Sequence, residues 1–428
     1  MTASTPESVF TMDTSSIKYG PGATREVGDD ARDRGLKRVM LFSDQNLTAT
    51  DGYATARDSL KAAGLDVIEY SDVRVEPTDA SFSKAIEAAT EAKPDGFVAF
   101  GGGSVIDTAK AANLYYSYPA DLLTYVNAPI GQATPVPGPL KPLIAIPTTA
   151  GTGSETTGVA IFDLVEMHAK TGIAHRALRP VLGIVDPLNT LSMPAMVTAS
   201  SALDVLSHAI ESYTALPFDQ RPAPDAPKLR PAYQGANPIS DIWASKAMEM
   251  VAQCLPVVLE RPDDVHARGQ MMLAATYAGI GFGNAGVHLP HGMSYPVAGM
   301  VRDWRPAGYA VDHPIVPHGI SVILNAPAVF RFTAQASPHR HLCAAQLLGA
   351  DIQDNSVHDA GDILANRLIE IMRMTGMPNG LAAVGYTEAD LDRLVEGTLP
   401  QHRVTKLSPR PALAEDLRTI FQNALRYW

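Results

Sequence analysis

Asp204 and His208 stand four residues apart in SSALDVLSHAIESY. At that spacing both side chains leave a helix on one face and can reach one cation. Two further histidines, His291 in VHLPHGMSYPVAG and His318 in DHPIVPHGISVIL, each follow a proline and precede a glycine. The repeated context predicts two similar helix starts aimed at one point. Three imidazoles and one carboxylate make an N/O shell that suits Fe or Zn; Ca and Mg prefer shells of oxygen alone. His288, three residues before His291, and His313, five before His318, compete for the same positions, and spacing alone does not choose between them.

A second signal lies upstream. DGFVAF (95–100) reads as a strand that runs into GGGS (101–104) and then into a helical stretch. Glycines let the backbone approach a pyrophosphate, and a helix N-terminus offers free N–H groups and a positive dipole end. GGGS is not the GxGxxG fingerprint, and a tight strand-to-helix turn uses glycine for steric reasons alone. Asp44 closes RVMLFSD (38–44), where a carboxylate could accept ribose hydroxyls and repel a 2′-phosphate, favouring NAD over NADP. PTTAGTGSETT (147–157) is dense in hydroxyls and glycines after a strand; it suits a phosphate loop or a plain helix cap. Metal and nucleotide together point to redox chemistry at an oxygen-bearing carbon.

The elements that must hold these residues alternate in the first half of the chain. Strands are expected at 38–44, 66–73, 95–100, 143–149, 158–163 and 182–187, with helices at 55–65, 79–92 and 101–116. Repeated βαβ units imply a mostly parallel sheet with helices on both faces. From about Pro194 onward strand signals fade, and apolar positions recur at helical spacing in 195–215, 241–258, 263–281, 357–375 and 412–427. The boundary is expected in DPLNTLSMP (186–194), and the Pro-rich stretch 216–238 reads as a long loop.

With 428 residues the chain exceeds one simple core and is expected to hold two domains. A net charge of −11 argues against nucleic acid as the main partner. The two cysteines, Cys254 and Cys343, form neither a metal spacing nor a disulfide framework. No apolar run suggests a membrane span, and the first residues lack a secretory signal, so a cytoplasmic location is expected.

GGGSVIDTAKA, PTTAGTGSETT, the Asp204–His208 pair, HGMSYPVAG and VPHGISVIL, taken in order, resemble the iron-containing (group III) alcohol dehydrogenases. The resemblance runs from KYGPGATREVG (18–28) to the C-terminal helices. It implies a dehydroquinate synthase-like fold, α/β plus all-α. An N-terminal parallel-sheet nucleotide-binding domain (1–190) would precede a helical metal-binding domain (191–428), with the active site in the cleft between them and a homodimer as the assembly. It places the metal ligands at Asp204, His208, His291 and His318, and so chooses His291 over His288 and His318 over His313. The implied cofactors are NAD, at Asp44, Gly102, Gly103, Ser104, Thr148, Thr149, Thr152, Thr157 and Lys170, and a divalent metal, Fe2+ with Zn2+ as the alternative.

Within that family VRVEPTDASF (73–82), RPAYQGANPISDIWA (230–244), GIGFGNAGVHLPHGMSYP (279–296) and LAAVGYTEADL (381–391) resemble the hydroxyacid-oxoacid transhydrogenase branch. So do the Pro-rich loop and the segment GTLPQHRVTKLSP (397–409). That branch implies metal-assisted hydride transfer from 4-hydroxybutyrate, or a similar hydroxyacid, to 2-oxoglutarate through a bound nicotinamide. The alternative is an NAD-dependent alcohol dehydrogenase acting on primary alcohols or aldehydes. HGMSY puts Tyr295 where family members often carry a second histidine. His288 and Tyr295 are therefore candidate catalytic residues, for proton relay or substrate contact, with helix packing as their plain alternative. Arg302 and Arg305, just after the metal motif, are candidates for holding a substrate carboxylate.

Overall fold

The structure is a computed structural model that describes residues 5–428 apart from 168, 310, 312, 354 and 355. It divides into two compact units that interleave along the chain. One comprises Asp13–Met193 with Arg261–Gly279; the other comprises Met1–Met12, Pro194–Glu260 and Ile280–Trp428.

Among the described residues the first unit is built on eight strands: β1 (Ser16–Tyr19), β2 (Arg38–Phe42), β3 (Asp66–Tyr70), β4 (Gly96–Gly101), β5 (Leu143–Pro147), β6 (Val159–Leu164), β7 (Ala169–Ala174) and β8 (Leu182–Val185). Six form a parallel sheet in the order β1-β8-β5-β4-β2-β3. β4 and β5 are buried at every position, whereas the edges β1 and β3 are partly exposed. Helices covering both faces explain why the central strands read as unbroken apolar runs. Alternate side chains then sort into two layers. Leu41, Val98, Phe100, Ile144 and Ile146 pack on one face; Phe42, Phe97, Ala99, Leu143 and Ala145 pack on the other.

GVAIFD forms β6, which leaves the parallel sheet and pairs with β7 as an antiparallel ladder. The segment 148–158 between β5 and β6 is too short for the crossover helix that parallel pairing requires. β1 and β7 escape a sequence reading because SIKY and AKTGIA carry no clear apolar alternation.

The second unit is helical. Its central helix, Ala195–Thr214, is buried along most of its length, and the buried set includes Asp204, Ser207, His208, Glu211, Ser212 and Thr214. Polar side chains in such a row cost free energy unless each meets a partner, so this helix marks the chemistry. Pro238–Glu260 packs beside it. That helix is long and apolar enough to cross a membrane, but Ala244, Ala247, Met248, Val251 and Leu255 are buried in the protein. The Pro-rich stretch expected as a loop at 216–238 is irregular apart from two short 3-10 turns, up to Pro238, where the next helix begins. Backbone bonds tie it down, among them Gln234 N–H to Asn284 O (2.8 Å) and Gly235 N–H to Ala285 O (2.8 Å).

Candidate metal centre

Three helices of the helical unit supply the four donors. Ala195–Thr214 carries Asp204 and His208, Leu289–Gly299 carries His291 in its first turn, and His318–Ile323 begins at His318. Pro290 and Pro317 sit at the two helix starts, where a fixed φ suits the first turn and a missing N–H costs nothing. The glycines that follow the two histidines have a packing reason. A Cβ at Gly319 would lie 2.1 Å from Ser200 O and 3.1 Å from Asp204 Cβ, so only glycine lets His318 approach the Asp204 helix. A Cβ at Gly292 would lie 2.8 Å from Thr405 Cγ2, which seats the 402–405 turn against the His291 helix.

Asp204 Oδ1 stands 3.8 Å from His208 Nε2, 3.8 Å from His291 Nε2 and 3.7 Å from His318 Nε2. All four ligand atoms lie within 4.8 Å of one another. These separations are too long for hydrogen bonds. They suit donors that share one small cation, since bonds of about 2.0–2.2 Å spread tetrahedrally leave donors roughly 3.5 Å apart. His291 Nε2 is buried and has no hydrogen-bond partner among the described residues. Burial pushes His208 well below the ordinary histidine range; it also pushes His291, with some help from the Arg403 charge, down to about 3. An imidazole nitrogen that turns its lone pair toward a carboxylate oxygen repels it unless a cation lies between them, so the residues fit a metal. Asp204, His208 and His291 are buried, whereas the His318 side chain is 24% exposed, which leaves the cluster one accessible edge.

Glu211 completes the centre, although it is not among the residues that the sequence motifs single out. Its Oε1 lies 2.6 Å from His291 Nδ1, and its Oε2 accepts the N–H groups of His288 (2.7 Å) and His291 (3.4 Å). It thus caps the Leu289–Gly299 helix, and as a carboxylate it would accept His291 Nδ1–H, the tautomer that turns the Nε2 lone pair toward Asp204. Burial pushes Glu211 well above the usual carboxylate range, against the pull of the two backbone donors. Glu211 stands seven residues after Asp204, on the same helix face, a spacing that could have revealed it. His208 is held differently. Its ring stacks on Phe282, with centroids 3.9 Å apart and planes 8° from parallel.

His288 and His313 lie outside the four-donor cluster. His288 Nε2 faces Thr214 Oγ1 at 3.0 Å, and the ring meets Phe330 edge-on. The Tyr295 hydroxyl accepts from Arg403 Nη2 at 2.7 Å. Arg302 is engaged by Asp390, and Arg305 donates to Val311 O at 3.2 Å.

Of the nucleotide candidates, Asp44, Gly102, Gly103, Ser104, Thr148, Thr149 and Thr152 follow the C-terminal ends of β2, β4 and β5, the edge at which open α/β sheets bind ligands, whereas Thr157 lies just before β6 and Lys170 within β7. Gly102 caps the helix Gly103–Ser117. A Cβ at Gly102 would meet Thr149 Cγ2 at 3.3 Å, and one at Gly103 would meet Thr152 Cγ2 at 2.6 Å, so the glycines bring the 148–152 loop onto the helix start. Thr148 N–H bonds Gly101 O at 3.1 Å. Asp44, just beyond β2, accepts from Asn46 N–H at 2.9 Å, and burial raises its carboxyl above the usual range. Ser104 Oγ accepts the Glu76 N–H (3.2 Å), and the Glu76 carboxylate holds Lys170 (2.6 Å), which also pairs with Asp163 at 3.0 Å. Thr157 accepts from Lys110, a wholly buried cation that also reaches Ser154 Oγ (2.6 Å) and Asp107 (3.4 Å). Burial lowers Lys110 to about 8 against the pull of Asp107. Both lie in GGGSVIDTAKA three residues apart, so this glycine-led stretch carries its own structural brace.

This chain belongs to the iron-containing alcohol dehydrogenase family. Residues 14–187 match the family model described as iron-containing alcohol dehydrogenase, and residues 232–425 match its C-terminal domain. It is an oxidoreductase that acts on CH–OH groups.

The chain is 55% identical over 426 residues to a protein of Bos taurus named hydroxyacid-oxoacid transhydrogenase, mitochondrial, covering 99% of this chain and 91% of that one. It is 54% identical to the Homo sapiens protein of the same name, with 99% and 91% covered. Among solved structures it is similar to 1,3-propanediol oxidoreductase, with TM-score 0.85, 26% identity, and 97% and 100% of the two chains covered. It is also similar to sulfoacetaldehyde reductase from Bifidobacterium kashiwanohense in complex with NAD+, with TM-score 0.78, 25% identity, and 98% and 99% covered.

The names of the close relatives correct one expectation. They are called mitochondrial, which overturns the cytoplasmic location inferred from the sequence. Few cysteines and no secretory signal do not separate the cytosol from the mitochondrion.

Proposed function

We infer that the chain is a hydroxyacid-oxoacid transhydrogenase. It oxidises a hydroxyacid such as 4-hydroxybutyrate and returns the hydride to an oxoacid such as 2-oxoglutarate through a retained nicotinamide. The observation that carries this reading is the four-donor cluster of Asp204, His208, His291 and His318, complete in a chain that resembles transhydrogenases along its length. A divalent cation held there, for which we take Fe2+ over Zn2+ on the family description, would supply the Lewis acidity that eases ionisation of the substrate hydroxyl. NAD, held at Gly102, Gly103, Ser104 and the 148–152 loop with Asp44 toward the ribose, would supply the hydride acceptor.

The protein's own residues set the conditions. Glu211 keeps the proton of His291 on Nδ1 and so keeps Nε2 a donor toward the metal. Phe282 fixes the His208 ring by stacking, and burial keeps both imidazoles neutral. The partly exposed edge at His318 admits substrate. Purified protein given 4-hydroxybutyrate and 2-oxoglutarate, without added NAD, is expected to form 2-hydroxyglutarate over many turnovers. Absence of that product, together with NADH formation from simple alcohols when NAD is supplied, would reject the reading.

A further inference from the structure

Hydroxyacid and oxoacid share a carboxylate, and a buried carboxylate needs a cation. The arginines closest in sequence to the metal motif are committed elsewhere: Arg302 to Asp390 and Arg305 to the Val311 carbonyl. A different arginine lies beside the metal centre. Arg403 belongs to the short helix His402–Thr405, which the Gly292 contact seats against the helix of His291. Its charge acts on His291 itself.

Two tyrosines aim its guanidinium. Nη2 donates to Tyr295 Oη at 2.7 Å, and Tyr295 stands one helical turn beyond His291. The guanidinium carbon lies 5.2 Å from the centre of the Tyr233 ring. Tyr233 in turn meets Phe282 edge-on at 6.5 Å, and Phe282 stacks on His208. A second guanidinium nitrogen, Nη1, is buried without a hydrogen-bond partner among the described residues. Among the described residues the guanidinium hydrogen-bonds the hydroxyls of the two tyrosines, which are uncharged at neutral pH. A buried guanidinium without a counter-charge is costly, and an anion delivered by the substrate offsets that cost.

We propose that Arg403 is the clamp for the carboxylate that both substrates share, with Tyr233 and Tyr295 holding its guanidinium beside the metal cluster. The proposal rests on the transhydrogenase reading and deepens it. In 4-hydroxybutyrate two methylenes separate the carbinol carbon from the carboxylate; in 2-oxoglutarate two methylenes separate the oxo carbon from the distal carboxylate. One fixed cation therefore presents both reacting carbons at the same place. Tyr233 comes from the Pro-rich loop and Arg403 from the 397–409 segment, two stretches distant in sequence that meet at the guanidinium.

The test uses the metal-loaded full chain. Arg403→Met is expected to raise KM for both acids about 100-fold, with metal content unchanged. Arg403→Lys, which keeps the charge but not the fork, should recover part of that loss. Glutarate, a dicarboxylate that cannot react, should raise the melting temperature of the wild-type protein but not of Arg403→Met. Equal acid affinity in all three proteins, or an equal loss of affinity for acids and for butan-1-ol, would overturn the clamp. If Arg403→Met does not fold, Tyr295→Phe loosens the guanidinium without removing it. It should raise both KM values roughly threefold to tenfold, and unchanged values would count against the proposal. Wild-type turnover of the acid pair separates the two ideas: without it the transhydrogenase reading fails, and with it only the clamp is at stake.

Discussion

The helical unit assembles its site from side chains. Four donors from three helices converge on one point, and a fifth group, Glu211, orients one of them. The α/β unit assembles its candidate cofactor site from backbone. There the decisive residues are Gly102 and Gly103, whose missing side chains let the 148–152 loop close on a helix start. Side-chain sites fail by subtraction, whereas backbone sites fail by addition.

The largest expected effect is subtraction at the centre. Asp204→Ala removes the only carboxylate among the four donors and leaves three neutral imidazoles. Bound metal, measured by elemental analysis, should fall from about one per chain to near zero, and turnover by about a thousandfold or more. Retained metal with retained turnover would break the side-chain half of the comparison.

Glu211→Gln comes next, because it keeps the shape but weakens the acceptor for His291 Nδ1–H. Metal affinity or activity should drop about 10- to 100-fold, read as a chelator titration against the wild type. An unchanged titration would reduce Glu211 to a helix cap. The smallest effect is addition at the nucleotide turn. Gly103→Ala puts a methyl 2.6 Å from Thr152 Cγ2, and NADH affinity by fluorescence titration should weaken about tenfold while metal content stays the same. A loss of metal in that variant would show that the two sites are not built independently.

The same contrast explains what could be read in advance. Asp204 and His208 were legible because one helix face joins residues four apart. His291 and His318 were legible through the Pro-His-Gly context, and the structure supplies its reason in the contacts at Gly292 and Gly319. Glu211 lies in the same motif, but metal-ligand spacing does not single it out, because it binds a ligand rather than the metal. Tyr233, Tyr295 and Arg403 come from three distant segments, and no periodicity links them. The central strands and long helices announced themselves by apolar pattern. The edge strand β1, the ladder strand β7 and the short Pro- and Gly-bounded helices that carry His291 and His318 did not.

The most direct test of the central claim follows the hydride itself. 4-Hydroxybutyrate carrying two deuteriums on its carbinol carbon, mixed with 2-oxoglutarate and a large excess of unlabelled NADH, should give 2-hydroxyglutarate deuterated at C2 and no deuterium in the free NADH. Unlabelled 2-hydroxyglutarate with deuterium entering the NADH pool would contradict the account and make the protein an ordinary dehydrogenase that exchanges its cofactor at each turn.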